Sequence, residues 1–241
     1  MRENARRYEM AGFIEGDPSW FMHQVSGALN QEAMAFVAAN LSYGSRSQFM
    51  PKIQHLLDAS QGEMDRWIRE GAFADILKAD DPRCFYRLYT KGMMHGFLSA
   101  YRRLLCEEGS LGEYVQKEAM DGLGAVGAIC RYFNDGRRCG IVPKDTSSAC
   151  KRICMFLRWM VRDGSPVDLG LWSGFIDRRT LIMPLDAHVL EEASQLGLLS
   201  SKNATMSVAL RLTKKMAQVF PDDPLLGDFA LFGYGVDKIE N

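Results

Sequence analysis

From Thr90 to Glu108 the chain reads "TKGMMHGFLSAYRRLLCEE", in which Met94, Phe97, Leu98, Tyr101, Leu104 and Leu105 recur three or four residues apart. This spacing puts all six on one stripe of an α-helix, and Gly109 is its natural stop. The same period returns along almost the whole chain, while alternating runs bounded by turn residues are nearly absent. A chain patterned in this way can bury its apolar surface only by packing helix on helix, so an all-α fold is expected.

Other segments obey the same rule. "NQEAMAFVAANLSYG" predicts a helix opening on Asn30 and ending at Gly44, and "SRSQFMPKIQHLLDAS" predicts a second one from Ser45 with a kink or split at Pro51. Weaker helices are expected near 110–120 and 123–134, followed by the basic connector "GRRCGIVPKD". A strong helix is expected over 146–163, a loop through "DGSPVDLGLWSGF", then helices from Pro184 to Leu196, over 203–220, and after Asp222 or Asp223. No internal repeat or low-complexity linker interrupts the series, and residues 1–241 read as a single all-α unit.

Composition narrows the class of partner. Lys and Arg number 29 against 30 Asp and Glu, a net charge of −1, so there is no global attraction to nucleic acid or anionic lipid and any phosphate-binding surface must be local. No apolar run approaches the ~20 residues of a membrane span, and "MRENARRYEM" lacks the apolar core of a signal peptide, which makes a cytoplasmic location the expectation. Six cysteines lie at 84, 106, 130, 139, 150 and 154 without a C-x-x-C pair or a clustered histidine, so neither zinc nor a disulfide framework is expected. His23, His55 and His95 likewise lack ligand spacing, and no cofactor is implied.

Three stretches bear on chemistry. "DGLGAVGAIC" has Gly122, Gly124 and Gly127 in G-x-G-x-x-G spacing, but a helical segment precedes it where a dinucleotide site needs a strand, so it reads as a flexible or closely packed helix start. In "TSSACKRICMFLRWMVR", Ile153, Phe156, Leu157, Met160 and Val161 form the buried side. Lys151, Met155, Arg158 and Arg162 line the neighbouring face, with Arg152 and Trp159 on another. Thr146, Ser147 and Ser148 can cap this helix and offer a phosphate their amides and hydroxyls. The plain reading of the basic face is a solvated flank of a core helix. Lys151 stands out because a cation in a first turn is opposed by the helix dipole, and only a neutral amine is a nucleophile. In "LIMPLDAHV", Pro184 interrupts an apolar run and Asp186 falls where a helix should begin, positioned to accept first-turn amides.

Taken together, "DTSSACKRICMFLRWMVR", the "DLGLW" insertion, "IMPLDAHV" and "DDPLLGDFALFGYGV" resemble an uncharacterised bacterial family distantly related to the helix-hairpin-helix (HhH-GPD) DNA glycosylases. The likeness to that bacterial family spans most of the chain; the likeness to the glycosylases themselves covers residues 140–235 and is closest in layout to the archaeal-type 8-oxoguanine enzymes. The resemblance implies a two-lobed helical fold with a cleft between the lobes, and excision of a damaged base flipped out of double-stranded DNA. It puts Lys151 at the catalytic lysine and Asp186 at the assisting aspartate. Thr146, Ser147, Ser148, Arg152, Arg158 and Arg162 become DNA-binding candidates, and Trp172 and His188 base-pocket candidates.

Trp20, Phe21, Tyr43, Trp67 and Trp159 are further aromatic groups that are more often core than pocket wall. The sequence departs from the glycosylases in two respects. "PKDTSSAC" lacks the hairpin G-x-G that brings backbone amides to a phosphate, and no cysteine follows Cys154, so no iron–sulfur cluster is implied. The alternatives to an enzyme are an inactive nucleic-acid-binding module and a helical scaffold acting through protein partners.

Overall fold

The computed structural model describes residues 1–135, 140–201 and 203–235, together with the helical backbone through Glu240. The described chain is mostly helical, as the periodicity requires. Its helices are α1 (Arg2–Tyr8), α2 (Ala28–Leu41), α3 (Arg46–Ser60), α4 (Met64–Glu70), α5 (Lys91–Glu108), α6 (Leu111–Glu118), α7 (Gly122–Asn134), α8 (Lys151–Val161), α9 (Ala187–Gln195), α10 (Met206–Val219) and α11 (Leu226–Glu240). One short antiparallel hairpin, β1 (Cys84–Tyr86) with β2 (Tyr89–Thr90), interrupts the helical series. Two compact units result. One contains Met1–Glu15, Met120–Gly127 and Asp145–Asn241; the other contains Gly16–Ala119 and Ala128–Lys144.

In the second unit α2 is buried on all sides from Glu32 to Leu41, which makes it the central helix rather than a surface one. It also supplies caps to its neighbours. Asn30 is not the start of the helix as the sequence suggests: its Oδ1 accepts the Asp65 amide of α4 at 3.0 Å. The buried Glu32 carboxylate accepts the Leu111 and Gly112 amides at 2.8 and 3.1 Å, satisfying the first turn of α6. α3 runs through Pro51 without a break, so of the kink or split expected there the split does not occur. α5 has Thr90 accepting the Met93 amide as its cap, and its six predicted stripe residues are all buried.

The first unit is built around α8, whose boundaries differ from expectation. The helix covers 151–161 rather than 146–163, because Cys150 has φ +46° and breaks the α-helical run just before Lys151. Its buried side continues through Trp159, which is fully buried rather than on a second face. At the C-terminal end the insertion folds back onto the helix. The Leu169 and Gly170 amides donate to the Trp159 carbonyl at 2.7 and 3.2 Å, and the Trp172 amide donates to the Met160 carbonyl at 2.6 Å. The insertion thereby caps the open carbonyls of α8. Gly170 at φ +66° permits this return; a Cβ there would lie 2.6 Å from the Asp163 Cα.

Candidate functional site

Asp186 owes its place to the buried approach that precedes it. Leu181, Ile182, Met183 and Leu185 are each at most 2% exposed, and the Met183 amide donates to Thr213 Oγ1 on α10 at 3.0 Å. Upstream, the Gly122 amide at the start of α7 donates to Thr180 Oγ1 at 2.9 Å. Of the flexible or closely packed helix start expected here, Gly122 is the closely packed one: a Cβ there would sit 2.5 Å from the Thr180 carbonyl oxygen. The extended run ends at Asp186, whose φ of −117° and ψ of −174° lie outside the helix while its Oδ1 accepts the Val189 amide at 2.9 Å. The capping role expected of it is thus met.

Its second oxygen does something else. Lys151 Nζ, on the first residue of α8, lies 3.5 Å from Asp186 Oδ2, with side chains 32% and 40% exposed. Two helix N-termini 35 positions apart in sequence thus bring an ammonium and a carboxylate together at a solvent-accessible spot. Neither group is sealed from a ligand, and neither owes its position to sequence proximity.

The other predicted positions divide. Arg158 and Arg162, read as part of an exposed basic face, are 4% and 2% exposed and belong to an internal ion network. Arg158 pairs with Asp168 through Nε at 3.2 Å and with Asp228 through Nη1. Arg162 pairs with Asp168, with Glu9 at 2.6 Å and with Asp223 at 2.8 Å. Both guanidinium groups also lie over the Phe229 ring, at 4.6 and 5.3 Å from its centroid. They cannot contact DNA; the physical reason is that four carboxylates surround them inside the unit.

Burial works against the Arg162 charge, but Asp168, Asp223 and Glu9 hold its pKa above the ordinary value. Burial likewise raises the Asp168 carboxyl against the opposing pull of Arg158 and Arg162. Asp228 is raised by burial too; Arg158 opposes the shift, Asp186 adds to it and Lys151 lowers it.

Thr146, Ser147 and Ser148 do not cap α8. Its N-cap is Cys150, with no side-chain cap bond; the Ser147 amide donates to Asp145 Oδ1 at 2.9 Å, and Ser148 forms an isolated bridge with Thr205. Ser147 and Ser148 remain exposed, and Thr146 and Arg152 are half-buried. Trp172 is core rather than pocket wall, 2% exposed with its ring edge-on to Phe156 at 5.2 Å. His188 is an exposed residue of α9. Phe21, Trp67 and Trp159 are buried, while Trp20 and Tyr43 are half-buried within the second unit.

Among the described residues no group of three or more His, Cys, Asp or Glu side chains could hold a metal, and no helix is long and apolar enough to cross a membrane. Cys84 and Cys106 are exposed, whereas Cys130, Cys150 and Cys154 are buried; Cys139 lies outside the described residues. Sequence reasoning missed Asp168 and Asp228. The only local signal was an acid ten residues after Arg158, within the insertion.

A family comparison covers residues 17–237, including the whole Lys151–Asp186 pair. The chain belongs to DUF2400. The family is described as proteins of unknown function, so membership assigns no chemistry to the pair. No curated protein and no solved structure matches the chain.

Proposed function

We propose that this DUF2400 protein is a base-excision DNA glycosylase with lyase activity, on a two-lobed fold of the helix-hairpin-helix kind, using Lys151 as nucleophile and Asp186 as its partner. The reading is carried by the approach of Lys151 Nζ to Asp186 Oδ2, 3.5 Å, at an accessible position. Such a pair suits the reaction. The lysine amine, after losing a proton to the neighbouring carboxylate, attacks the sugar C1′; the bond to the base breaks as the bond to Nζ forms, and the base leaves with the electron pair and takes up a proton. Nζ then loses a proton and its lone pair expels the ring oxygen: the C1′–O4′ bond breaks, O4′ takes up a proton, and the protonated Schiff base that results carries the positive charge that the Asp186 carboxylate stabilises. The substrate class is an oxidised purine such as 8-oxoguanine in duplex DNA, flipped out of the stack at a cost of a few kcal/mol.

Borohydride reduction in the presence of an 8-oxoguanine duplex is expected to trap a covalent protein–DNA complex that Lys151→Gln abolishes. Absence of trapping across a panel of oxidised, alkylated and abasic duplexes would overturn the reading. A second reading is a nucleic-acid-binding module without turnover. It is favoured by the burial of Arg158 and Arg162, which takes two cations away from any DNA-facing surface. It predicts salt-dependent binding, with log K falling by roughly 0.9 per phosphate contacted per decade of salt, and no trapped complex.

A further inference from the structure

We propose that the tip of the β1–β2 hairpin is a contact for duplex DNA, in which Leu88 enters the base stack while Arg87 and Lys52 meet the phosphates. The inference rests on the duplex partner proposed above and not on the lysine chemistry. It begins with a leucine left in water. Leu88 is 82% exposed, although its own backbone is pinned within the second unit. Tyr86 pairs with Tyr89 across the strands, so Arg87 and Leu88 form a two-residue turn.

Three tyrosines fix that turn. The Leu88 amide donates to Tyr43 Oη at 3.4 Å, and the Tyr43 and Tyr86 hydroxyls each donate to the other residue's carbonyl. The Tyr43 ring lies 4.9 Å from that of Tyr86 and 5.0 Å from that of Tyr89. The exposure of Leu88 is therefore the property of a rigid turn. Only its main chain takes part in these bonds, so a polar side chain would satisfy them equally well.

The surroundings of the tip are basic. Arg87 lies over the Tyr43 ring at 5.7 Å and against Gly44, where a Cβ would be 2.9 Å from its Nη1. Lys52 Nζ of α3 lies over the Phe85 ring of β1 at 5.7 Å. Of the acids in this region Asp17 pairs with Arg46 at 3.5 Å and Asp81 with Arg83 at 2.6 Å; among the described residues neither Arg87 nor Lys52 has a carboxylate within ion-pair distance. Asp80 lies past the foot of the hairpin, which the Lys91 amide closes on the Arg83 carbonyl at 2.9 Å. A chain of net charge −1 can hold a polyanion only through a local surface of this kind. Met120 is more exposed still, at 94%, but Asp121 follows it directly and would repel a phosphate.

An apolar knob flanked by cations matches a stack of bases bordered by phosphates: the knob parts neighbouring bases, and the cations position it on the backbone. A lipid surface fits less well, because a lone apolar side chain gives only marginal anchoring and stable attachment takes a second apolar group or a polybasic cluster. The test uses the full chain and a DNA duplex carrying 2-aminopurine at several steps, whose fluorescence rises when its neighbours unstack. Wild-type protein is expected to brighten the duplex as it binds. Leu88→Ala is expected to weaken binding by about tenfold or more and to abolish the brightening at saturation, whereas Leu88→Phe keeps both.

Arg87→Gly suits the backbone, whose φ is +49° there, and is expected to reduce the slope of log K against log salt by ~0.9. Leu29→Ala, at a leucine of α2 that is 49% exposed, is expected to change neither affinity nor brightening. Unchanged affinity and brightening in Leu88→Ala, or an equal loss in Leu29→Ala, overturns the proposal. So does Leu88-dependent binding to vesicles of phosphatidylserine and phosphatidylcholine without binding to the duplex. Duplex binding that is independent of Leu88 refutes the hairpin contact and leaves the glycosylase reading standing; Leu88-dependent binding without borohydride trapping does the reverse.

Discussion

Replacing Asp186 separates the two duties of its carboxylate. Oδ1 accepts the Val189 amide at 2.9 Å, and Oδ2 faces Lys151 Nζ at 3.5 Å. Asn keeps an acceptor at the cap, whereas Ala removes it, and loss of an Asp cap to Ala costs about 0.5–2 kcal/mol. The ion pair adds little, since both side chains are about a third or more exposed; pairs of this kind contribute ~0–1 kcal/mol before screening by salt.

Asp186→Asn is therefore expected to lose well under ~1 kcal/mol and Asp186→Ala about 1–2 kcal/mol. At ~2–4 °C per kcal/mol for a chain of this size, calorimetry is expected to show an Asn variant nearly as stable as wild type and an Ala variant several degrees lower. Borohydride trapping is expected to fall by ~100-fold or more in both, because neither variant can offer a negative charge to the lysine or the developing cation. Equal destabilisation by Asn and Ala, or retention of trapping in the Asn variant, would refute the division of roles.

Two further perturbations probe the frame around the pair. Arg162→Met strands Glu9 and Asp223, leaves Asp168 with Arg158 alone, and is expected to cost about 3–5 kcal/mol at pH 7 in urea unfolding. Asp168 has a raised folded pKa, so its stabilising contribution is fully present below the ordinary carboxylate range and is lost as pH rises through the raised value; removing Arg162 raises it further, and the deficit of the variant is expected to shrink toward pH 4.5. Gly122→Ala drives a methyl to 2.5 Å from the Thr180 carbonyl and is expected to cost ~1–3 kcal/mol by the same assay, with trapping reduced because the displaced segment leads into Asp186.

The helices of this protein were legible where local pattern decides them. The α5 stripe and the Asp186 cap of α9 follow from spacing and from residues within one turn of each other. The start of α8 was not legible, because the serines before it are plausible caps and nothing local shows that Cys150 adopts a left-handed conformation. The arginines were misread for a different reason. Their positions beside the apolar face suggest a solvated flank, and all but one of the carboxylates that pair with them lie far off in the chain, Glu9 being 153 residues from Arg162. Lys151 and Asp186 could be paired only through the family resemblance, since a separation of 35 residues across an insertion leaves no periodic signal.

The ion network also bears on the order in which the chain acquires structure as it is made. Arg158 and Arg162 draw acids from residues 9, 168, 223 and 228, and the unit that holds them is assembled from three separate stretches of sequence. The other unit has all its residues once Lys144 has been synthesised. A ribosome therefore releases the material for the second unit first, while Arg158 and Arg162 wait for Asp223 and Asp228 before their charges are matched. The lysine–aspartate pair belongs to the late unit, so the chemistry proposed for it becomes competent only when translation has run past residue 228.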